Sequence, residues 1–356
     1  MEMKQLLTIL AAATSLTACT GNSVHSCSTD ISTIDSTLQT NVDSLLENKL
    51  IELNAFSRTA IVMEVHSGHI KAIAGLEKDN TGYWPCDNYI RNQESALVQP
   101  ACMLAAMEEG DVRMSDPVDV GNGVCLVRGK ELKDHNWHKG GYGMISVMQG
   151  MACSSNIAVY KTMDKVFGKR KEAFFDVLAK TGYGKPDSID GLPGLEPAFF
   201  IRNEAVDWQN SLAWISIGYD QYIAPVQVLA FYNDIANGGR MVQPGLYKDA
   251  EAVIFPQMAK QAHIDSLKQV LEYTVTGGLG KPARSGLVRI AGNLFCQIAE
   301  YLTGTPGTQD TQFYDCHQDC RYTQVANVER EVVSLSTKAG VGYAPSSGLS
   351  YIQNNL

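Results

Sequence analysis

Apolar and polar residues alternate along two short stretches near the start of the chain. Residues 59–65 and 70–74 are rich in β-branched side chains, and the turn sequence His66-Ser67-Gly68-His69 separates them. This pattern predicts a β-hairpin. A helix is predicted before the hairpin, beginning at Asp35 or Ser36, because apolar residues recur there at helical spacing. Its apolar residues are Leu38, Val42, Leu45, Leu46 and Ile51.

The apolar pattern after the hairpin is mostly helical. It predicts helices over residues 97–109, 144–153, 169–180, 209–217, 225–237 and 262–274. Residues 111–143 are interpreted as a long loop region with short strand-like pieces. Beyond Thr303 the chain is rich in Thr, Gln, Ser and Gly, and only residues 332–335 have the pattern of an ordered element.

Composition limits the class of protein. Of the 356 residues, 45% are hydrophobic and 19% are charged, so the chain can form a packed core and is not expected to be disordered throughout. The 29 basic residues against 38 acidic ones give a net charge of −9. This balance argues against a nucleic-acid partner and against electrostatic attachment to an anionic surface.

The first residues have the pattern of a targeting segment. Lys4 precedes a short apolar run, and Leu16-Thr17-Ala18-Cys19 follows it. That tetrapeptide resembles the lipobox of bacterial lipoproteins, in which the Cys becomes the lipidated first residue. We therefore expect a signal peptide at residues 1–19, a tether at residues 20–33, and a lipid anchor at Cys19 that holds the protein to a membrane on the periplasmic side. The alternative is an ordinary cleaved signal peptide in which Cys19 is incidental.

Eight of the nine cysteines remain when Cys19 is set aside. Cys102 and Cys153 fall in apolar helical patterns, so they are expected to be buried thiols. The local cluster Cys316-His317-Gln318-Asp319-Cys320 offers two Cys and one His without a fourth metal ligand. A loop disulfide or no role is therefore favoured over a metal site, and no metal or cofactor is expected.

The polar triplet Ser154-Ser155-Asn156 stands among apolar residues at the predicted start of a helix. Ser154 and Asn156 would place a hydroxyl and a carboxamide in one small space. The carboxamide can bind a substrate amide, and the hydroxyl can relay a proton. The simpler interpretation is that Ser154 or Ser155 caps the helix.

Several stretches occur in an order that identifies a family. AIVMEVHSGHIKAIAG opens the series, and SSNIAVYKTMDKVFG, GYGKPDSIDGLPG and WISIGYDQYIAPVQVLAFYNDIANGGRMVQP follow. Together they resemble the transpeptidase domain of penicillin-binding proteins, class B and division-type. The resemblance implies the α+β fold of β-lactamases and transpeptidases, an antiparallel sheet flanked by helices, in a domain at residues 34–302. It also implies a peptidoglycan stem peptide or a β-lactam as ligand, contacted by Ser154 and Asn156.

That family carries the motifs S-x-x-K, S-x-N and K-T-G, and the first is missing here. A Ser and a Lys three residues apart lie on one face of a helix, where a Lys with a lowered pKa can deprotonate the Ser. Alignment on Pro100 places Ala96 at the nucleophile position and Gln99 at the base position, with Ser95 one residue early. None of the 18 lysines has a Ser three residues before it, so no shift of register restores the motif.

The K-T-G motif is missing as well. Residues 275–283 and 287–292 resemble the approach to it, but Asn293 stands at the motif position. Since residues 291–302 also resemble the family's terminal helix, one interpretation is an internal deletion. Such a deletion would remove the last strands of the sheet and leave residues 303–356 as a poorly defined tail.

A literal Lys180-Thr181-Gly182 follows a predicted helix. Lys180 is interpreted as the cation at the C-terminus of that helix and Gly182 as its cap.

Three functions follow from these observations. The first is a lipid-anchored domain without acyl-transfer activity, which binds peptide or β-lactam weakly and non-covalently or acts as a scaffold for envelope proteins. The second is an active serine D,D-transpeptidase or carboxypeptidase of peptidoglycan synthesis, and the third is a degenerate remnant that folds poorly. Loss of both Ser and Lys favours the first, because it removes the covalent route. The dimerisation region of division-type members is expected to be absent, since only about 15 residues separate Cys19 from the first helix.

Overall fold

Helices and antiparallel strands alternate along the chain in the computed structural model. It describes residues 31–52, 54–94, 96–202, 207–248 and 253–281, with strand segments at 297–298, 320–321, 323–328 and 331–338. The helices of this part are α1 (Ser36–Glu52), α2 (Gln99–Gly110), α3 (Val147–Ala152), α4 (Asn156–Phe167), α5 (Lys171–Lys180), α6 (Trp208–Ile217), α7 (Pro225–Ala236) and α8 (Gln261–Thr276).

The strands are short outside one main sheet. They are β1 (Ser57–Glu64), β2 (Ile70–Lys78), β3 (Tyr83–Pro85), β4 (Pro117–Gly121), β5 (Val124–Val127), β6 (Lys130–Lys133), β7 (Gly143–Ser146), β8 (Phe199–Phe200), β9 (Gln221–Tyr222), β10 (Met241–Val242), β11 (Val253–Phe255), β12 (Gln297–Ile298), β13 (Cys320–Arg321), β14 (Thr323–Val328) and β15 (Glu331–Lys338). The main sheet has five strands in the order β14-β15-β1-β2-β3.

The predicted hairpin is confirmed as the centre of this sheet. Strands β1 and β2 pair antiparallel, with Ile61 opposite Ile73. Gly68 lies in the connecting turn with a φ of 76°, and a Cβ there would come within 2.6 Å of the Gln243 carbonyl oxygen. Both the backbone conformation and the close approach therefore require glycine at this position.

The sheet is covered on both faces. From β1, Ile61 and Met63 point into a core shared with α2 and α7, whereas Ala60 and Val62 point to the other face and pack against α1. Successive residues of a strand point to opposite faces, so a strand with apolar residues throughout is buried on both sides. Strand β1 is therefore a central strand.

Two strands of the main sheet come from the region beyond residue 302. Strand β15 pairs antiparallel with β1, and β14 pairs with β15. The interpretation that a deletion removed the last strands is therefore wrong for these two, and the extended element suggested at residues 332–335 is part of β15. Apolar and polar residues are mixed in both strands, and the sequence pattern predicts an ordered element over residues 332–335 alone.

The region between α2 and α4 also differs from the prediction. The expected helix over residues 144–153 is shorter, because its first residues form β7, which pairs with β4. Ser146 then begins α3 with a capping box: its hydroxyl accepts from the Gln149 amide, and the Gln149 side chain accepts from the Ser146 amide.

Helix α2 is the central helix of the domain. It is buried continuously from Gln99 to Met107, and it packs against α4, α5, α6 and α8. Its buried residues are small or apolar apart from Gln99, and Pro100 lies in the first turn, where a missing N–H costs nothing. The start of this helix and the turn before α4 carry the candidate site.

Candidate functional site

The N-terminus of α2 and the turn before it carry Ala96 and Gln99, the residues that the alignment on Pro100 assigns to the nucleophile and base positions. Ala96 begins a short 3₁₀ helix, Ala96–Val98, which leads directly into Gln99. The backbone is therefore helical from Ala96 through Gln99. The assignment of these two positions to a degenerate S-x-x-K motif rests on the alignment on Pro100 and stays a prediction.

Gln99 places a polar group in the interior. Its side chain is 1% exposed, and the amide nitrogen Nε2 has no hydrogen-bond partner among the described residues. A buried amide without a partner costs about 1–3 kcal/mol. A carboxamide also cannot take up or release a proton at neutral pH, so Gln99 can donate hydrogen bonds but cannot act as a base.

The turn between α3 and α4 carries the polar triplet. Ser154 adopts a left-handed backbone conformation, with a φ of 52°, and is 4% exposed. Its hydroxyl has no hydrogen-bond partner among the described residues. A non-glycine residue in this conformation is strained by about 1 kcal/mol or more, and such strain clusters at functional sites.

The other two residues of the triplet are partly engaged. The Ser155 hydroxyl accepts a hydrogen bond from the Ala158 amide at 3.0 Å, so Ser155, not Ser154, is the N-cap of α4. Asn156, half-buried, donates from Nδ2 to the Lys133 carbonyl oxygen at 3.0 Å. Since Nδ2 carries two hydrogens, one of them stays available to a ligand.

A buried carboxylate that the sequence analysis missed holds this turn. Asp134 is 0% exposed, and it accepts from the Ser155 hydroxyl at 2.7 Å and from the Ile157 amide at 3.0 Å. It follows β6 in the chain, 21 residues before Ser155. Two residues so far apart in sequence give no local signal of their contact. The only available signal is the position of Asp134, an acidic residue at the end of a short strand.

Burial sets the electrostatics around Asp134. It raises the pKa of the carboxyl, and the hydrogen bonds from Ile157, Ser155 and Asn156 oppose the increase. Burial also raises the pKa of the neighbouring Cys153 thiol to about 12, with the charge of Asp134 as a smaller cause. Since the thiolate is the nucleophilic form, Cys153 is no substitute for the missing serine.

The cysteine in α2 is inert for the same reason. Cys102 is fully buried, and burial alone raises the pKa of its thiol. The interpretation of Cys102 as a buried thiol is confirmed, and Cys153 is half-buried. In the described part of the chain, His, Cys, Asp and Glu side chains form no group of three that could hold a metal ion.

The literal Lys180-Thr181-Gly182 ends a helix, as interpreted from the sequence. Helix α5 ends at Lys180, the Thr181 hydroxyl donates to the Leu178 carbonyl, and Gly182 has a φ of 75°. These residues are therefore a helix terminus and not a strand-borne K-T-G motif.

The chain after α8 contacts the end of α3, two residues before the triplet. The Leu279 amide donates to the Ala152 carbonyl at 3.0 Å, and a Cβ on Gly278 would lie 2.3 Å from the same oxygen. Asn293, Ser95 and Cys19 lie outside the described residues, as do most of residues 303–356.

Solved structures share this arrangement of sheet and helices. The apo structure of the TP domain from Burkholderia pseudomallei penicillin-binding protein 3 has a TM-score of 0.72 at 20% identity, over 91% of this chain and 94% of that chain. Penicillin-binding protein 3 from Mycobacterium tuberculosis, complexed with aztreonam, has a TM-score of 0.72 at 17% identity, over 91% of this chain and 78% of that chain. The fold is thus the β-lactamase-like α+β fold of transpeptidase domains.

Sequence comparison gives the family. The family described as "Penicillin binding protein transpeptidase domain" matches residues 59–292. The chain therefore belongs to the penicillin-binding protein transpeptidase family. The probable peptidoglycan D,D-transpeptidase PbpC of Pseudomonas aeruginosa is 26% identical over 246 residues, which are 64% of this chain and 41% of that protein. Stage V sporulation protein D of Bacillus subtilis is 23% identical over 282 residues, 73% of this chain and 43% of that protein. The chain thus spans less than half the length of these relatives.

Proposed function

We propose that this chain is a non-catalytic, lipid-anchored member of the family that binds stem peptides or β-lactams reversibly in the bacterial cell envelope. The observation that carries the proposal is Gln99, a buried, non-ionisable amide at the start of the central helix, where the alignment on Pro100 expects the catalytic base. Penicillin-binding proteins are cell-envelope proteins, which supports the envelope location.

The chemistry of the missing groups argues against turnover. Acyl transfer by this route needs a serine oxygen that attacks the carbonyl and a base that removes its proton. Ala96 has no oxygen, and Gln99 has no basic nitrogen. Ser154 offers a hydroxyl, but Lys161, the nearest lysine after it in the chain, donates to the Asp119 carbonyl at 2.6 Å. An unassisted serine is a weak nucleophile.

The same residues support reversible binding of a neutral carbonyl or amide group. Asn156, which is half-buried, keeps one amide hydrogen for a ligand. The Gln99 amide and the Ser154 hydroxyl are buried groups without partners among the described residues, and they would add hydrogen bonds where a ligand gains access to them. Peptide carbonyl oxygens accept such hydrogen bonds, and each is worth about 0.5–1.5 kcal/mol net. A few bonds of this size give weak, reversible affinity, which suits a peptide-binding or scaffold protein.

We expect no covalent adduct when the protein is incubated with a fluorescent penicillin. β-Lactams label this family by acylating the S-x-x-K serine, and that ester survives denaturation. Gel fluorescence and intact mass after boiling in detergent measure the adduct, and ligand-observed NMR measures reversible binding. The Asn156→Ala variant serves as a matched control that should weaken reversible binding without changing the absent label. A stable adduct mapped to Ser95, Ser154 or Ser155 would establish an active enzyme with a rearranged site.

Repair of the first motif alone should not create turnover. In the double variant Ala96→Ser/Gln99→Lys we expect D-Ala release from a peptide substrate to stay near background, because a K-T-G motif is still needed to orient the substrate. The single variant Ala96→Ser is the control for the added hydroxyl. Robust turnover by the double variant would mean that the segment around Asn293 supplies a functional edge.

A degenerate remnant would fold poorly, whereas a non-catalytic binding domain would be stable. The described residues contain a continuous core around α2, with buried residues from the sheet and from most of the helices. This supports a folded domain, and a cooperative melting curve of the mature protein tests it. Envelope proteins remain candidate partners of such a scaffold.

A further inference from the structure

Two buried hydrogen bonds join Asp134 to the turn that carries the candidate ligand groups. We infer that Asp134 is a positioning residue, which fixes the Ser154–Asn156 turn in the conformation that binds ligand; this rests on the proposed reversible binding. Asp134 touches no ligand in this scheme. It acts through Ser155 and the start of α4.

Lys133 and Asp134 hold the turn from one side, and their hydrogen bonds to residues 155–157 are together called the clamp. One Asp134 oxygen accepts from the Ser155 hydroxyl and the other accepts from the Ile157 amide. The preceding residue, Lys133, accepts from the Asn156 side chain through its carbonyl oxygen. The Lys133 carbonyl and the Asp134 side chain therefore contact Ser155, Asn156 and Ile157, three successive residues. The Asp134 amide in turn donates to the Gly123 carbonyl, which fixes the clamp to the β5–β6 hairpin.

Because the clamp fixes the residues after Ser154, Ser154 itself takes the strained left-handed backbone conformation. Ser155 and Asn156 are held on the side of Asp134, and the chain enters from α3, where the Ser155 amide donates to the Gly150 carbonyl at 2.8 Å. Ser154 connects the two fixed ends with a φ of 52° and a buried hydroxyl without a partner among the described residues. Strain that surrounding contacts enforce in this way is a feature of binding sites.

Helix capping alone does not explain Asp134. Ser155 already caps α4 by accepting from the Ala158 amide. A fully buried carboxylate is a costly way to satisfy one further amide, because burial penalises its charged form. A neutral serine or asparagine would suffice for a cap. The Asp134 side chain is distinctive because its two terminal atoms bond both the cap residue and the helix amide, and so fix the orientation of the whole turn.

The test compares Asp134→Ala with Asp134→Asn in the full chain. Asparagine keeps the shape, can accept from Ile157 and can donate to Ser155, so it should restore the geometry that alanine loses. We expect the Kd for benzylpenicillin, measured by ligand-observed NMR, to rise at least tenfold in Asp134→Ala and to stay within threefold of the parent in Asp134→Asn. Ser155→Ala should give an intermediate increase.

A matched control uses a helix cap remote from the site. Asp35 accepts from the Leu38 amide at 3.0 Å at the start of α1, which packs on the opposite face of the sheet. Asp35→Ala should lower the melting temperature without changing the Kd. An unchanged Kd in Asp134→Ala, or an equal effect in Asp35→Ala, would overturn the inference. If Asp134→Ala fails to fold, an unchanged Kd in Ser155→Ala overturns it.

Amide exchange separates this inference from the proposed function. If the parent binds no penicillin, the proposed function fails, but exchange still reports the turn. We expect the Ile157 and Ala158 amides to exchange at least tenfold faster in Asp134→Ala, and unchanged in Asp35→Ala. Equal protection in the parent and in Asp134→Ala would show that Asp134 does not hold the turn.

Discussion

Replacement of Asp234 by Asn is expected to stabilise the protein at neutral pH by roughly 1–3 kcal/mol, which would raise the melting temperature by several degrees. Asp234 lies on α7 and is 0% exposed, and neither carboxyl oxygen accepts a hydrogen bond from a described side chain. Burial raises its pKa well above the ordinary value, and the Val242 amide opposes this only in part. At neutral pH the folded state must therefore keep a proton that the unfolded state releases, which costs free energy. Asparagine has the same shape and carries no such cost.

The sign of the pH dependence follows from that direction. The folded state holds the proton of Asp234 more tightly than the unfolded state, whose carboxyl titrates near pH 4. The stability contribution of Asp234 is therefore fully present below about pH 4 and is lost as the pH rises towards the folded-state pKa. Urea unfolding from pH 4 to 8 should thus show a difference between Asp234→Asn and the parent that is small at pH 4 and grows with pH.

Asp176→Asn is the matched control, because Asp176 is exposed on α5. It should leave the stability within about 0.5 kcal/mol of the parent at every pH, as surface substitutions usually do. If Asp234→Asn destabilises the protein at pH 7, or if its effect does not change with pH, then the buried carboxyl is ionised and paired. The description of Asp234 as a neutral buried acid would then be wrong.

Elements with a strong local pattern could be predicted from the sequence. The β1–β2 hairpin combines β-branched alternation with a glycine turn, and both features survive in the fold because its strands are buried on both faces. Helix α1 begins at Ser36, as predicted. Its end was less certain: Leu50 is buried, whereas the predicted Ile51 is 58% exposed. Which of these two adjacent apolar residues is buried depends on the rotation of the last helical turn, and the sequence alone does not determine that rotation.

Elements that depend on distant partners could not be predicted. Strands β14 and β15 contain several Ser, Thr, Gln and Asn residues. They form strands because β1 offers an edge to β15, and β15 offers one to β14. Propensity of a strand depends strongly on such context. The resemblance around Asn293 is local and carries no information on the second edge of β1, which β15 fills.

In the candidate site, too, local spacings could be predicted from the sequence and contacts between distant residues could not. The sequence placed Ala96 and Gln99 one turn apart and Ser154 and Asn156 in a turn before a helix, because those spacings are local. It left open which serine caps α4, since either residue had a suitable hydroxyl. The structure assigns the cap to Ser155 through the Ala158 amide. The contact with Asp134 is what distinguishes the two serines, and it joins residues that are far apart in sequence.

The second large effect concerns the proposed anchor. In the parent, we expect intact mass to show a mature chain that starts at Cys19 and carries lipid, and we expect nearly all of it to sediment with membranes. Each buried methylene of an acyl chain contributes about 0.8 kcal/mol to membrane binding. None of the described helices is long and apolar enough to cross a bilayer, so loss of the lipid should not be compensated by the described part of the chain. Cys19→Ala should therefore move to the soluble fraction.

Cys27→Ala provides the matched control, because Cys27 lies in the same proposed tether and is outside the lipobox-like tetrapeptide. It should sediment with membranes as the parent does. Fractionation followed by immunoblotting measures the distribution, and washing with high salt separates lipid anchoring from charge attraction, which salt screens. The net charge of −9 already argues against charge attraction to an anionic surface. Cys19→Ala protein that stays as firmly bound as the parent, or a parent mass without lipid, would show that Cys19 is not the anchor and that this member of the family is held at the envelope by other means.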